Sequence, residues 1–253
     1  MDNISPQTCF TGRQFVFLPV CASTNTVAQQ LLIKNEATEG CVILTENQTA
    51  GRGQRGNSWE AGVNQNLTLS VIYKPVFLVA SEQFFLNIAV SLGIADFLKR
   101  YLPAGVILKW PNDLYYLEKK LGGILIENSI SGSVLQSSVI GIGLNINQEH
   151  FENTNAVSLK QVTGKHYNLK KLTETLLECL EKRYVELQKN PRNLLQQEYW
   201  QQLLGFGEYR FYEVDNEVIE GKIVGTDDYG RLQLETQTGL RVFDLKQIRF
   251  LFS

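Results

Sequence analysis

The sequence is poor in the residues that most often build metal cages and covalent cross-links. Its 253 residues include two histidines, four cysteines and one methionine. His150 and His166 are too few for a histidine cage or a Ser-His-Asp triad. The cysteines lack metal-ligand spacing and are too sparse for a disulfide framework. We therefore expect reduced thiols, which are typical of a cytoplasmic protein.

Two further features are missing: an excess of charge and a long apolar segment. The net charge is −2, so no global basic field is available to hold nucleic acid, and we expect no nucleic-acid partner. No uninterrupted apolar run is long enough to cross a bilayer, which predicts that the protein is not embedded in a membrane. The N-terminus lacks the basic start and apolar core of a signal peptide.

The most informative segment that is present is a loop rich in glycine and arginine. Gly51-Arg52-Gly53-Gln54-Arg55-Gly56 lies within the run from Thr49 to Trp59, after an apolar strand-like segment. Glycines let the backbone approach a ligand closely, and arginine forks match carboxylates and phosphates. The pattern predicts a loop that wraps an anionic ligand. The alternative is a flexible surface turn with two solvated arginines.

The remaining patterning predicts an α+β fold in two parts. A mixed sheet with packed helices is expected over residues 1–205, with a first strand at 15–18 that ends at Pro19. A buried-strand run at 41–44 and an alternating strand at 67–71 flank the glycine-arginine loop. Short strands and tight turns over residues 206–253 predict a small all-β barrel with six Lys/Arg and nine Asp/Glu, which argues against nucleic-acid binding there.

Three more polar segments have the composition of a binding site. They are a turn at 109–113 that contains Asn112 and Asp113, a strand start at 120–124 that contains Lys120 and Gly123, and a strand end at 141–147 that contains Asn145. Each segment has a plain structural alternative, as a reverse turn, a solvated hairpin edge or a bulge.

Together with the loop, these segments predict one site at one edge of the sheet. It would offer positive charge, backbone amides and the carboxylate of Asp113, without a nucleophile-base pair. That equipment suits charge stabilisation on phosphorus better than acid-base hydrolysis. Asp113 is also the candidate ligand for a Mg²⁺ ion that phosphate and water would mainly hold.

The sequence resembles the biotin protein ligases, in the form without an N-terminal DNA-binding domain. The resemblance rests on motifs that occur in family order between residues 23 and 145: Ser23-Thr24-Asn25, Gln48, Gly51-Arg52-Gly53, Arg55-Gly56, Trp59, Lys109-Trp110-Pro111-Asn112-Asp113, Lys120-Leu121-Gly122-Gly123-Ile124 and Gly141-Ile142-Gly143-Leu144-Asn145. It implies a catalytic domain of the class II synthetase-like, biotin/lipoate ligase type and an SH3-like C-terminal barrel.

The resemblance also implies the reaction and the roles of residues. Such an enzyme joins biotin and ATP into biotinyl-5′-AMP and then transfers biotin to a lysine of a biotin carboxyl carrier protein or domain. Catalysis is implied for Lys120, Arg52 and Arg55, with Mg²⁺ accompanying ATP. The implied biotin-binding residues are Ser23, Thr24, Asn25, Gln48, Gly51, Arg52, Gly53, Gln54, Lys120 and Gly123. The implied ATP-binding residues are Arg55, Trp59, Asn112, Asp113 and Asn145.

For Ser23-Thr24-Asn25 the alternative is an ordinary helix cap. The chain departs from the commonest loop pattern of the family, which has arginine where Gln54 and Asn57 stand. Fewer positive charges would then border the activated intermediate. The first strand already begins near Phe15, so we expect no operator binding. The sequence is compatible with a monomer or a homodimer.

Two rival functions remain open at this point. A lipoate protein ligase would use the same adenylate chemistry on a linear acyl chain. A non-enzymatic module that binds peptides through its C-terminal barrel belongs to a different class, and the acidic charge of that barrel does not exclude it.

Overall fold

The structure, a computed structural model, describes residues 4–189 and 192–251, and of Arg55 the backbone alone. A seven-stranded mixed sheet organises the larger domain, with the strand order β1-β2-β3-β7-β6-β5-β4. Only the β1–β2 pair is parallel among the described strands. The strands are β1 (Phe15–Cys21), β2 (Cys41–Gln48), β3 (Leu67–Tyr73), β4 (Val106–Lys109), β5 (Asp113–Tyr116), β6 (Lys119–Ser131) and β7 (Val134–Leu144). The predicted mixed sheet is confirmed.

Helices cover the two faces of this sheet unequally. The main core lies on one face, where α2 (Gln83–Lys99), α4 (Leu169–Lys189) and α5 (Arg192–Gln201) pack together. The opposite face holds α1 (Thr24–Ile33), whose Ala28 belongs to a smaller apolar cluster with Ile43, Ile72 and Val139. A short helix, α3 (Leu159–Thr163), follows β7. Since α1 covers only part of its face, the remainder of that face is open to form a site.

The alternating pattern of β3 has a different cause from the expected one. The alternation predicted one buried face and one solvent face, yet all seven residues of β3 are buried. Leu69 and Val71 join the main core, whereas Thr68 and Ser70 point to the face that α1 covers. The polar half of the pattern therefore marks a polar interior site and not the protein surface.

One predicted boundary was wrong. Strand β1 does not end at Pro19 but continues to Cys21, because it is an edge strand and a missing N–H group on its outer side costs no ladder hydrogen bond. The 109–113 turn joins β4 to the short strand β5, and β5 in turn pairs Asp113 with Gly123 of β6.

The C-terminal part is a five-stranded antiparallel sheet with the order β11-β10-β9-β8-β12. Its strands are β8 (Tyr209–Val214), β9 (Glu217–Thr226), β10 (Leu232–Thr236), β11 (Gly239–Phe243) and β12 (Arg249–Phe250). The expected small β domain is confirmed. It joins the larger domain through the Trp110 indole, which donates to the carbonyl of Gly230 at 2.8 Å, and through Phe84, which packs on the same glycine.

The helices of the described segments include none that is both long and apolar enough to span a bilayer.

A carboxylate on α4 fixes the N-terminal segment to the larger domain. Glu181 accepts the backbone N–H groups of Cys9, Phe10 and Thr11 at 2.5, 2.9 and 2.8 Å. Burial opposes ionisation of Glu181, but these three donors outweigh burial and hold the pKa of the carboxyl below its usual range. The interaction therefore depends on the ionised form.

We expect Glu181→Gln to lower the free energy of unfolding by about 1–3 kcal/mol at neutral pH, because one acceptor oxygen is replaced by an NH₂ group that faces N–H donors. The folded-state pKa is depressed, so the stabilisation is complete above the unfolded-state pKa of about 4.3 and is lost as the pH falls through the folded-state value. Denaturant unfolding at several pH values measures this. A difference between wild type and variant that stays constant into the acid range would contradict it.

Candidate active site

One cavity opens on the face of the sheet that carries α1, in the part of that face that the helix does not cover. It lies where β1 and β2 end and β3 and β6 begin. The polar residues that line it include most of those that the sequence singled out: Ser23, Thr24, Asn25, Gln48, Arg52, Gly53, Gln54, Trp59, Asn112, Asp113, Lys120 and Gly123. Segments separated by up to about a hundred residues thus converge on one cavity.

Glycines on β7 form the floor of the cavity. Gly141 lies between Ser70 of β3 and Leu125 of β6, and Gly143 lies between Thr68 and Gly123. A Cβ atom at Gly141 would overlap the side-chain amide of Asn25, and one at Gly143 would overlap the indole of Trp59. The two glycines therefore allow α1 and the loop to approach the sheet closely.

Neutral polar groups line the end of the cavity next to α1. Gln48 Oε1 accepts the Thr24 N–H at 3.0 Å, and Ser70 Oγ lies 2.7 Å from Thr24 Oγ1 and 2.6 Å from Asn25 Oδ1. Ser23 precedes α1, but its side chain makes no capping hydrogen bond to the helix. The structure therefore does not show the Ser23 side chain capping the helix. This end suits a neutral ligand with several donors and acceptors.

Lys120, Asp113 and Arg52 also line the cavity, and each of them is held in an ion pair. Lys120 Nζ lies 2.7 Å from Asp113 Oδ1, and Arg52 binds Glu127 through two parallel hydrogen bonds of 3.2 and 3.0 Å. These two cations and two carboxylates cancel in charge. An incoming anion can gain the full attraction of Lys120 or Arg52 only if the present partner moves or is itself neutralised.

The 109–113 turn brings polar groups to the same cavity. Asn112 donates its side-chain N–H to the carbonyl of Ile124, and Ile124 N–H donates back to the Asn112 carbonyl at 3.0 Å. Asn87 supports the turn from α2 by donating to the Pro111 carbonyl at 2.8 Å. Burial lowers the pKa of Lys109, next to Asp113 and Lys120. The turn is thus held by hydrogen bonds on both sides.

The glycine-arginine loop is a tight hairpin. Gly53 N–H donates to the Asn57 carbonyl at 2.6 Å, Trp59 N–H donates to the Gly51 carbonyl at 3.0 Å, and a 3₁₀ turn covers Gln54–Gly56. Gly56 has φ +86°, a conformation that favours glycine. The Trp59 indole lies over Gly143, and its Nε1 is buried without a partner in the described part of the chain.

Three predicted site residues are not among those that line the cavity. Asn145 is buried behind β6, where its Nδ2 lies 3.2 Å from the Val157 carbonyl and 3.4 Å from that of Lys120. Asn145 follows the last residue of β7, so the expected alternation of side chains along a strand does not extend to it. Gly51 packs behind the cavity against Gln48 and Trp59. The side chain of Arg55 lies outside the described part of the structure.

Sequence reasoning missed Ser70, Thr68 and Glu127. Ser70 and Thr68 carried a signal, since they form the polar half of the alternation in β3. Glu127 follows the apolar run of β6, and the sequence gives no sign that it reaches Arg52, which is 75 residues away.

The cavity offers little to a metal ion on its own. No group of three or more His, Cys, Asp or Glu residues close enough to hold a metal occurs in the described parts of the chain. Asp113 is a single carboxylate that Lys120 already neutralises in part. This arrangement fits Mg²⁺ only as an ion carried mainly by substrate phosphates and water.

Comparison with known families agrees with this geometry. Residues 17–145 match the biotin/lipoate A/B protein ligase family, and residues 212–245 match the biotin protein ligase C-terminal domain. The first match contains every lining residue named above, and the second lies within the small β domain.

Named relatives and solved structures extend the likeness over most of the chain. The bifunctional ligase/repressor BirA of Bacillus subtilis is 32% identical over 91% of this chain and 72% of its own length. The biotin–[acetyl-CoA-carboxylase] ligase of Mycobacterium tuberculosis is 31% identical over 86% of this chain and 83% of its own. The Aquifex aeolicus biotin protein ligase, solved with biotin and ATP, superposes with a TM-score of 0.79 over 95% of this chain and all of its own, at 24% identity. The chain is a ligase that belongs to the biotin/lipoate A/B protein ligase family.

Proposed function

We propose that this protein activates biotin with ATP to form biotinyl-5′-AMP and pyrophosphate and then transfers the biotinyl group to a lysine of a biotin carboxyl carrier protein or domain. The observation that carries the proposal is the division of one cavity into two chemically different ends. Hydroxyl and amide groups at one end suit the neutral ureido ring of biotin. Lys120 and Arg52 at the other end suit its carboxylate and the phosphates of ATP.

The activation step joins two anions. A biotin carboxylate oxygen attacks the α-phosphorus of ATP, an O–P bond forms, and pyrophosphate leaves with the electron pair of the bond that breaks. Lys120 and Arg52 would offset the repulsion between the reactants and the charge on the pentavalent centre. The main chain of Gly53 and Gly123 would allow the reacting groups to approach without a side chain in between.

The transfer step uses the mixed anhydride. The neutral amine of an acceptor lysine attacks the biotinyl carbonyl, the bond to the phosphate oxygen breaks, and AMP leaves with its electrons while the amine loses a proton. Free biotin cannot react this way, because its leaving group would be oxide. Water must be kept from the anhydride, and Trp59 with Gln54 would cover it on the loop side.

Several finer assignments belong to the proposal. Asn112, Asp113, Trp59 and Arg55 would bind the nucleotide, and Asp113 would hold Mg²⁺ together with the phosphates and water. Asn145 stays a proposed residue of the nucleotide side: it does not line the cavity, but its Oδ1 is buried without a hydrogen-bond partner among the described residues. The catalytic domain would end near residue 205, and the protein would act as a monomer or homodimer. Four free cysteines suit a reducing compartment such as the cytoplasm.

The direct test incubates the purified protein with biotin, MgATP and a carrier domain. We expect a mass gain equal to one biotinyl group on a single lysine, dependent on ATP. A carrier domain with that lysine replaced by arginine is the control. Absence of any ATP-dependent acylation would contradict an enzymatic function and favour a peptide-binding module. Competition between biotin and lipoate in ATP–pyrophosphate exchange separates biotin ligation from lipoate ligation, and we expect lipoate not to compete.

Replacing Lys120 with alanine should slow adenylation by roughly 10²–10³-fold, the usual effect of removing one preorganised donor to developing charge. Pre-steady-state pyrophosphate release measures this step. The matched control is Lys119→Ala, which removes an exposed neighbouring lysine and should leave the rate near that of wild type. An unchanged rate in Lys120→Ala would remove this lysine from the mechanism.

Replacing Gly143 with alanine should displace Trp59, because the new methyl group would overlap the indole. Overpacking of this kind costs about 1–3 kcal/mol, so we expect kcat/KM for ATP to fall by about tenfold in pyrophosphate exchange. In a Trp59→Ala background the same substitution should add less than about twofold, since the clash is then removed. Equal effects in both backgrounds would show that the clash with Trp59 is not the cause. Thermal unfolding checks that the variants remain folded.

A further inference from the structure

Glu127 is a carboxylate beside the cavity that neither the sequence motifs nor the proposed reaction uses, and with Arg52 it lines the adjoining groove. It lies on β6, and its side chain is 28% exposed. Its oxygens accept three hydrogen bonds from two different elements. Arg52 of the loop donates twice, and Asn25 of α1 donates through Nδ2 at 2.6 Å. A carboxylate shared in this way links the loop, the helix and the sheet.

The orientation of Asn25 follows from its neighbours. A carboxylate only accepts hydrogen bonds, so the group that faces Glu127 at 2.6 Å must be the amide nitrogen. The Asn25 Nδ2 also lies 3.3 Å from the Leu125 carbonyl, so both of its hydrogens have acceptors. Oδ1 then faces Ser70 Oγ at 2.6 Å, and the single hydroxyl hydrogen of Ser70 must point to it.

The direction of the remaining hydrogen bond is then fixed as well. Thr24 Oγ1 lies 2.7 Å from Ser70 Oγ and 3.4 Å from Gln48 Oε1; since the Ser70 hydrogen is already used, the Thr24 hydroxyl donates along the shorter contact, to Ser70. A continuous series of hydrogen bonds therefore runs from Thr24 through Ser70, Asn25 and Glu127 to Arg52. It connects the neutral end of the cavity with its cationic end, and we call it the Thr24–Arg52 chain.

The geometry of the Arg52–Glu127 pair leaves Arg52 able to bind a second anion. Both terminal nitrogens of the guanidinium face Glu127, which leaves Nε–H and the outer hydrogens for another acceptor. Arg52 is 43% exposed, and a long side chain on a loop samples many rotamers unless a partner holds it. An exposed ion pair adds little to the free energy of unfolding, so the main effect of this pair is to orient the Arg52 guanidinium.

We propose that Glu127 is a positioning residue that holds the Arg52 guanidinium over the cavity for the substrate carboxylate, and that the Thr24–Arg52 chain couples Arg52 to the residues at the neutral end. The proposal rests on the function proposed above. It assigns Glu127 no contact with the reacting atoms: its effect passes through Arg52. The competing possibility is that Glu127 blocks Arg52 and must be displaced, in which case its removal would tighten the binding of an anionic ligand.

Calorimetric titration of Glu127→Gln with biotin and with biotin amide, the neutral analogue, tests the proposal. Glutamine has nearly the same shape, and with its oxygen in the place of Oε2 it can still accept from Asn25 and Arg52 Nη2, but its NH₂ group then faces Arg52 Nη1 and the negative charge is gone. We expect biotin to bind about tenfold more weakly, the effect of losing a charge-assisted hydrogen bond to a partly exposed group. The affinity for biotin amide should change by less than about twofold, because this analogue has no carboxylate for Arg52 to bind. Glu220→Gln, an exposed strand glutamate in the C-terminal sheet, is the matched control and should leave both affinities unchanged.

A double-substitution cycle separates positioning from a general structural effect. In an Arg52→Ala background, Glu127→Gln should weaken biotin binding by less than about twofold further, since the group that it positions is gone. Any of these results would overturn the proposal: tighter binding of biotin to the Glu127→Gln variant, equal weakening of the binding of biotin and of biotin amide, or an undiminished effect of Glu127→Gln in the Arg52→Ala background. If wild type itself fails to bind biotin, the proposed function falls, and this inference falls with it. Normal wild-type binding with an unaffected Glu127→Gln variant contradicts this inference alone.

Discussion

The absence of side chains at two adjacent positions on the cavity side of β7 is the constraint on which the rest of the site depends. Gly141 and Gly143 allow the Asn25 amide and the Trp59 indole to lie directly on the sheet. Without that approach, α1 and the loop would stand off from the sheet, and the cavity between them would be wider and wetter. Close packing of these elements is what lets neutral hydrogen-bonding groups and charged groups share one enclosed space.

The ion pairs of the site then determine how the cavity binds an anionic ligand. Lys120 is paired with Asp113, and Arg52 with Glu127, so each cation has a carboxylate within hydrogen-bonding distance. Such pairing lowers the cost of holding cations in a partly buried site before a ligand arrives. It also means that ligand binding is an exchange of partners. A carboxylate or phosphate adds to or replaces an existing acceptor instead of meeting an isolated charge.

Hydrogen bonds carry this organisation beyond the cavity. The turn at residues 109–113 is held by Asn87 of α2 on one side and, through the Trp110 indole, by Gly230 of the C-terminal sheet on the other. The small β domain therefore contacts the segment that presents Asn112 and Asp113. In the other direction, Glu181 ties the N-terminal segment to α4, so that the elements around the main core form one connected body.

Much of the site could be read from the sequence because its residues occur in short, chemically distinctive segments. The glycine-arginine loop, the Asn112-Asp113 turn and the Lys120 strand start each combine unusual backbone freedom with charge, and the structure brings all three to one cavity. The surroundings of Asn145 were harder to predict, because the prediction assumed that the alternation of side chains continues past Leu144, where β7 ends. Ser70 was hidden because a polar residue in an alternating strand is normally taken to face solvent.

The sequence by itself determined most of the strands, the mixed α+β class, the small C-terminal β domain and the segments that supply the chemistry, since these depend on local propensity, periodicity and residue type. Only the tertiary structure decided which charges meet. The pairing of Arg52 with Glu127, the orientation of Asn25 and the burial of Asn145 depend on strand register and on how α1 and the loop pack over the sheet. Contacts between residues far apart in the chain are fixed by the packing of the whole domain, and no local pattern encodes them.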